Sequence, residues 1–247
     1  VHCIGTDNYA AMETLVEPLV SVHGCKTFNY VGGRADHAEN RLRKKAFVNV
    51  LEKHGLAVEE ARIRDYDFTR DGGERAFVEF NREGMALPDA VVCANDNMAI
   101  GYVEKLESYG YHVPEDTFVT GFDNLFEARC HTPGITTVGR SKQTLGKACI
   151  EQILGMIEGK EYPDHVFLPF ELSLDESCGC KSCAENISML KRELSEREYR
   201  NYQLRWRMNL MQKRLLTCQT EAELNKTLRA ELQNIDIRKF AILLNAE

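Results

Sequence analysis

The sequence predicts an α/β fold built on a doubly wound parallel sheet. Three observations predict it. Short apolar runs alternate with helix-periodic stretches over residues 1–176, the pattern of parallel strands joined by helical crossovers. Polar residues follow the strand-like runs, at Asp7, Asp67, Asn95 and Asp123, where open α/β sheets bind their ligands. The segment from Pro88 to Asn124 reads without a break as strand, turn, helix, turn, strand.

Each element has a local reason. His2 to Thr6 is a short strand ending in Asp7-Asn8, and Met12, Leu15, Val16 and Leu19 lie at helical spacing up to Gly24. Thr27 to Val31 is the next strand, and Gly32-Gly33 turn the chain. Leu42, Phe47, Val50 and Leu51 mark a helix stopped at His54-Gly55, Ala61 to Tyr66 a third strand, and residues 71–83 a further helix. Ala90 to Ala94 is an apolar strand broken by Asn95, Asp96 and Asn97, any of which is able to cap the next helix. Met98, Tyr102 and Leu106 share one face of that helix, Gly110 ends it, and Phe118 to Phe122 is the returning strand. Beyond Asp123, Ile135 to Val138 is extended. Leu145, Cys149, Ile153 and Ile157 form one helical row, and Val166 to Leu174 reads as a last strand.

Composition sets the class. With 43% hydrophobic and 28% charged residues the chain can bury a core, and a net charge of -7 argues against the whole chain gripping nucleic acid. No apolar run approaches the roughly 20 residues of a membrane span. Nine cysteines, an odd number scattered through strands and helices, suit reduced thiols and a cytoplasmic setting. There is no G-x-G-x-x-G, P-loop, G-x-S-x-G or H-E-x-x-H. No catalytic constellation is found, so neither enzyme activity nor a cofactor is expected.

The segments ANDNMAIG and YGYHVPEDTFVTGFDN resemble the signature of the LacI/GalR regulators in their effector-binding domain, over about the first 176 residues. The resemblance implies two periplasmic-binding-protein-like lobes, each a doubly wound sheet, with a sugar or purine in the cleft between them. It implies that ITTV is a crossover between lobes, and that residues 143–170 belong to a first lobe largely missing here. The chain opens on Val1 rather than Met and is expected to be cut at both ends.

Four residues form the predicted ligand site: Arg43, Phe68, Asn95 and Asp123. An arginine fork, an amide, a carboxylate and an aromatic face suit a hydroxyl-rich small molecule. The resemblance points to the same four, within RLRKKAF, YDF, CAND and GFDN; Ala46 stands where the family usually has Gly. Each has a plainer reading. Asn95 and Asp123 are also capping residues, Phe68 is also a core ring, and Arg43 sits among Arg41, Lys44 and Lys45 as on a solvated basic face. Asp7 and Asp67 are taken as turn residues.

Cys178-Gly-Cys180-Lys-Ser-Cys183 is the densest thiol cluster. It offers three thiolates to zinc but no fourth ligand nearby, so no metal is assigned and the thiols are read as structural. Residues 177–217 then form a junction and coiled-coil linker. Ile187, Leu190, Leu194, Leu204, Met208, Met211 and Leu215 fill the a and d positions of one heptad frame, with Asn201 (a) and Arg197 (d) the exceptions. Residues 184–216 carry eight Lys or Arg against four Glu, a solvated face rather than a DNA-reading helix. Thr220 to Glu223 is a capping box, Leu224, Leu228 and Leu232 share a face, and Phe240 to Leu244 is a strand. Residues 218–247 thus form a partial α+β segment similar to the opening of a GAF-type domain.

The chain is therefore expected to be a ligand-sensing segment of a bacterial regulator. Its effector is sugar-like, with a purine as second choice, and its change passes through a dimeric coil. DNA contact is left to a module absent from this chain. The alternatives are the input module of a GGDEF-type cyclase and a solute-binding protein for transport. The heptad seam carries a test of its own. Leu194→Lys together with Leu204→Lys places two charges on the seam, so a wild-type dimer in light scattering should become a monomer. A dimer that survives both changes would place this helix against its own chain.

Overall fold

The computed structural model describes residues 2–180 and a few positions between 215 and 227. The heptad stretch and the strand expected at 240–244 lie outside the described residues. So do the leucine row's outer positions, Leu228 and Leu232. Contacts divide the chain into two units, Val1–Glu185 and Asn186–Glu247. In the second, Thr220 Oγ1 accepts from the Glu223 N–H at 3.2 Å, one half of the expected capping box.

In the first unit, strands and helices alternate. The order is β1 (Cys3–Thr6), α1 (Asn8–Ser21), β2 (Phe28–Gly32), α2 (Ala38–Lys53), β3 (Ile63–Asp65), α3 (Arg70–Arg82), β4 (Ala90–Cys93) and α4 (Asp96–Ser108). There follow β5 (Phe118–Thr120), α5 (Phe126–Arg129), β6 (Thr137–Gly139), α6 (Lys142–Ile157), β7 (His165–Leu168) and β8 (Glu171–Ser173). The main sheet is parallel in the order β3-β2-β4-β5, and a parallel bridge from Thr120 to Thr136 extends it. Helices α1 and α2 pack together, and so do α3 and α4. This is the doubly wound arrangement expected from the sequence. Strand order reverses between β2 and β4, so the crevice lies beyond Gly32 and Cys93.

Burial follows the strand pattern. Every residue of β2 and β4 is buried, as strands covered on both faces must be. Around them Met12, Leu15, Tyr30, Phe47, Phe77, Tyr102 and Leu106 are fully enclosed. Helix α4 starts where Asn95 Oδ1 accepts from the Met98 N–H at 3.0 Å, and α1 where Asp7 caps Tyr9 and Ala10.

Three expectations change. The run Val166–Leu174 is not one strand. It breaks at Pro169, which has no N–H to continue a ladder; β7 pairs in parallel with β1, and β8 antiparallel with β6. The apolar row on α6 is not buried either. Ile153 is 57% and Ile157 77% exposed, while the enclosed positions are Gln152 and Gly155. Among the described residues β1 is the strand that α6 packs against most closely, and it covers only the opposite side. The third strand is also shorter than expected, because Glu60–Arg62 form a 3-10 turn before β3.

The α3–α4 contact depends on two glycines. A Cβ on Gly73 would lie 2.0 Å from the Met98 carbonyl oxygen, and one on Gly101 2.0 Å from that of Arg70. Both obstacles are backbone, so neither helix can yield without moving apart. Gly101→Ala should therefore destabilise the domain by about 1–3 kcal/mol, the usual cost of overpacking, against the small gain alanine normally brings to a helix. Urea unfolding would show a lower midpoint; an unchanged or raised midpoint would mean that the helices are not locked at this distance.

Candidate functional site

Four segments converge beyond the carboxyl ends of β2, β3, β4 and β5; a buried arginine ties together those after β2, β4 and β5, and Asn95 holds the one after β3. Arg43 reaches the crevice from α2 and is only 4% exposed. Its Nε donates to Asn8 Oδ1 at 2.7 Å, its Nη1 to the Ala94 carbonyl at 2.6 Å, and its Nη2 to Glu39 at 3.2 Å. Asp123 Oδ1 stands 3.6 Å from Nη2, within ion-pair range. The guanidinium lies over the Phe122 ring, 3.8 Å from its centroid. This plane of cation on ring, with carbonyl and carboxylates at its edge, fixes the fork in one orientation. The solvated basic face is thereby excluded for Arg43, although Arg41 and Lys45 on the same helix are exposed.

Asp123 follows β5. Its N–H donates to the Val138 carbonyl at 2.8 Å, which binds the turn to β6. Burial raises its carboxyl above the ordinary carboxylate range, while Arg43 pulls it back down. Asn95 caps α4 with its oxygen and donates its amide nitrogen to the Phe68 carbonyl at 2.9 Å. An amide nitrogen has a second hydrogen, so this side chain both positions Phe68 and keeps a donor. Phe68 is half-buried. Its ring meets the His37 ring edge-to-face at 5.5 Å and lies flat on Gly33, where a Cβ would sit 2.0 Å from Cζ. Only glycine lets the ring approach so closely.

Backbone strain concentrates here. Among the described residues the non-glycine positions with positive φ are Phe68 (65°), Asp123 (104°) and Asn124 (50°). Each costs on the order of 1–3 kcal/mol, and all three flank the crevice. The buried Asn124 Oδ1 has no hydrogen-bond partner among the described residues.

Several contributors carry no sequence signal of their own. Asn40 is wholly buried and clamps the Gly32-Gly33 turn, accepting from the Gly33 N–H at 2.9 Å and donating to its carbonyl and to Asp65. Asp96 is wholly buried. Its oxygens accept from the Thr137 hydroxyl and the Leu125 N–H, each at 2.6 Å. Gly121 permits this, since a Cβ there would meet Asp96 Oδ1 at 2.2 Å. Arg140, just past β6, hydrogen-bonds Thr6 at the end of β1. Apart from Gly33, seven residues before Asn40, their partners lie tens of residues away, beyond the reach of any local pattern. Asp7 and Asp67 are turn residues as expected: Asp7 caps α1, and Asp67 accepts from the Thr69 N–H and hydroxyl.

A family model for the periplasmic binding protein-like domain matches residues 19–178. The chain belongs to this family. The curated relatives it matches include transcriptional repressors. A repressor named PurR from Glaesserella parasuis is 27% identical over 76% of this chain and 53% of its own length. A repressor named MelR from Bacillus subtilis is 29% identical over 72% and 53%. The chain thus spans about half the length of the curated relatives it matches. Among solved structures, a transcriptional regulator CelR in complex with cellobiose superposes with a TM-score of 0.65 at 26% identity, over 72% of this chain and 54% of that one.

Asp96 gives this domain a pH dependence. Burial pushes its carboxyl up to about 8, against an ordinary value near 3.8. The folded state then holds a proton that the unfolded state releases, so stability is fullest below about pH 4 for this group and is lost as pH rises through about 8. Asp96→Asn carries no such proton. Chemical denaturation from pH 5 to 8 should show wild type losing more stability than the variant; parallel curves would mean that Asp96 is ionised in the fold.

Proposed function

We propose that this chain is the ligand-sensing segment of a bacterial transcription regulator or signalling protein, and that it binds a sugar-like small molecule through Arg43, Phe68, Asn95 and Asp123. The observation that supports it is the convergence of these four, with three strained non-glycine residues, at the point where the strand order reverses. Asp123 accepts from paired hydroxyls, Arg43 and the second amide hydrogen of Asn95 donate, and Phe68 offers an apolar face to a ring. The CelR structure with cellobiose is a relative of this fold with a hydroxyl-rich ligand. A purine is the second choice, since Phe68 can stack on a heterocycle and Asn95 can pair with its edge.

Sensing in this reading is a shift between two arrangements of the lobes, biased by a ligand that fits one better. The strands β1, β6 and β7 lead from one sheet toward another, and the Arg140–Thr6 bond joins two of them beside the site. The exposed row on α6 is covered, in this reading, by the remainder of its own lobe. The shift leaves the domain through residues 184–216 as a dimeric coil, and DNA contact belongs to a further module. Among the described residues no helix is long and apolar enough to cross a membrane.

A thermal-shift screen of the full-length protein against mono- and disaccharides, cellobiose included, and against purines should find a stabiliser. Asp123→Ala and Arg43→Lys should each weaken its binding roughly 10- to 100-fold, the loss of one charge-assisted hydrogen bond. Unchanged affinity in both, in proteins that still fold, would place the site elsewhere.

A further inference from the structure

The fold brings a histidine to the thiol cluster. Cys178 ends a 3-10 turn (Glu176–Cys178), and Gly179 takes the left-handed φ of 76° that turns the chain back before Cys180. His23 lies in the loop after α1, its N–H donating to the Pro18 carbonyl at 3.0 Å. Although 157 positions apart in sequence, Cys180 Sγ and His23 Nε2 are 3.6 Å apart. The donor atoms of His23, Cys178 and Cys180 all lie within 4.8 Å of one another.

We propose that His23, Cys178 and Cys180 bind a thiophilic divalent cation, zinc foremost, that fastens the end of α1 to the last described stretch of this domain. Zinc holds nitrogen at about 2.0–2.1 Å and sulfur at about 2.3 Å in tetrahedral array, which sets neighbouring donors about 3.5 Å apart. The His23–Cys180 separation already has this value. A site of two sulfurs and one nitrogen favours zinc over calcium or magnesium, which take oxygen.

The surroundings orient the donors. The His23 ring stands edge-to-face on Phe118 at 5.2 Å, which leaves Nε2 directed at the sulfurs. The Thr136 hydroxyl lies 3.0 Å from Cys178 Sγ and can donate to it, as partners of metal-bound thiolates do. Cys178 is wholly buried. Binding releases the protons of both thiols to solvent, and histidine binds through its neutral ring. Three protein donors leave one tetrahedral position for water or a further ligand; Cys183 lies outside the described residues. The ends of α1 have separate tasks in this arrangement. Asn8 at its start holds Arg43, and His23 beyond its end holds the metal. Its 14 residues span about 21 Å at 1.5 Å per residue, so the metal lies well apart from the ligand crevice.

The test is metal content and affinity of the full chain, purified under reducing conditions. Elemental analysis should find zinc bound one to one. Cobalt substitution should give the intense near-ultraviolet sulfur-to-metal absorption together with visible bands of a tetrahedral site. His23→Ala and Cys180→Ser avoid the buried Cys178 and should keep the far-ultraviolet circular dichroism of wild type. Each should weaken zinc in competition with a chromophoric chelator by about 100-fold or more, since losing even an outer partner costs 10- to 100-fold. Protein that takes up no zinc at micromolar concentration overturns the proposal. So does zinc retained at full affinity in both variants, or a disulfide among these cysteines in metal-free protein.

Discussion

A single buried guanidinium organises the carboxyl end of this sheet. Arg43 is a cation withdrawn from water, and such a group is tolerated only when its donors and its charge are both answered. Asn8 answers from α1, Ala94 from the end of β4, and Glu39 from one turn earlier on α2. Asp123 and the face of Phe122 answer from the end of β5. Four elements on both sides of the strand-order reversal are thus held to one plane. Removing any one partner leaves charge or dipole stranded in a dry place, so the crevice has one geometry rather than several.

That geometry is bought with strain. Phe68, Asp123 and Asn124 sit in left-handed backbone that their side chains disfavour. Each is pinned from outside: Phe68 through Asn95 Nδ2, Asp123 through Val138, Asn124 through the Thr137 hydroxyl. Gly33 and Gly121 provide the room, one for the Phe68 ring and one for the Asp96 carboxyl. The same means recur where α3 and α4 meet at Gly73 and Gly101. Close approach at glycine, rather than bulk of apolar contact, sets the spacing at these points. The core beneath them is ordinary in composition, and its buried strands supply the rigidity on which a polar site depends.

The candidate site was legible to different depths at different residues. Asp123 and Asn95 stand directly after apolar strands, a placement that suits a cap as well as a ligand contact, and the resemblance points to ligand contact. Phe68 follows β3 in the same way. Arg43 was marked by its chemistry and by resemblance, but its burial was not, because Arg41, Lys44 and Lys45 surround it in sequence while it lies in the inward row with Ala46, Phe47 and Val50. Asn40 carries no local signal, and Asp96 reads as one of three possible caps of α4. Their enclosure depends on Gly32 and Gly121, which come from other segments.

The sequence by itself determined the locally repeating features: the alternation of strands and helices, the caps at Asp7 and Asn95, and the polar residues at the strand ends. These arise from periodicities of two and 3.6 residues and from turn chemistry, all contained within a few neighbours. Tertiary structure decided which distant groups meet. It split the run through Pro169 between two sheets, left the apolar row of α6 open, and joined Asp96 to Thr137. It also carried His23 across 157 positions to Cys180. The reason is that parallel strands pair only through long crossovers, so partners across the sheet are separated in sequence by whole helices, and no local pattern records them.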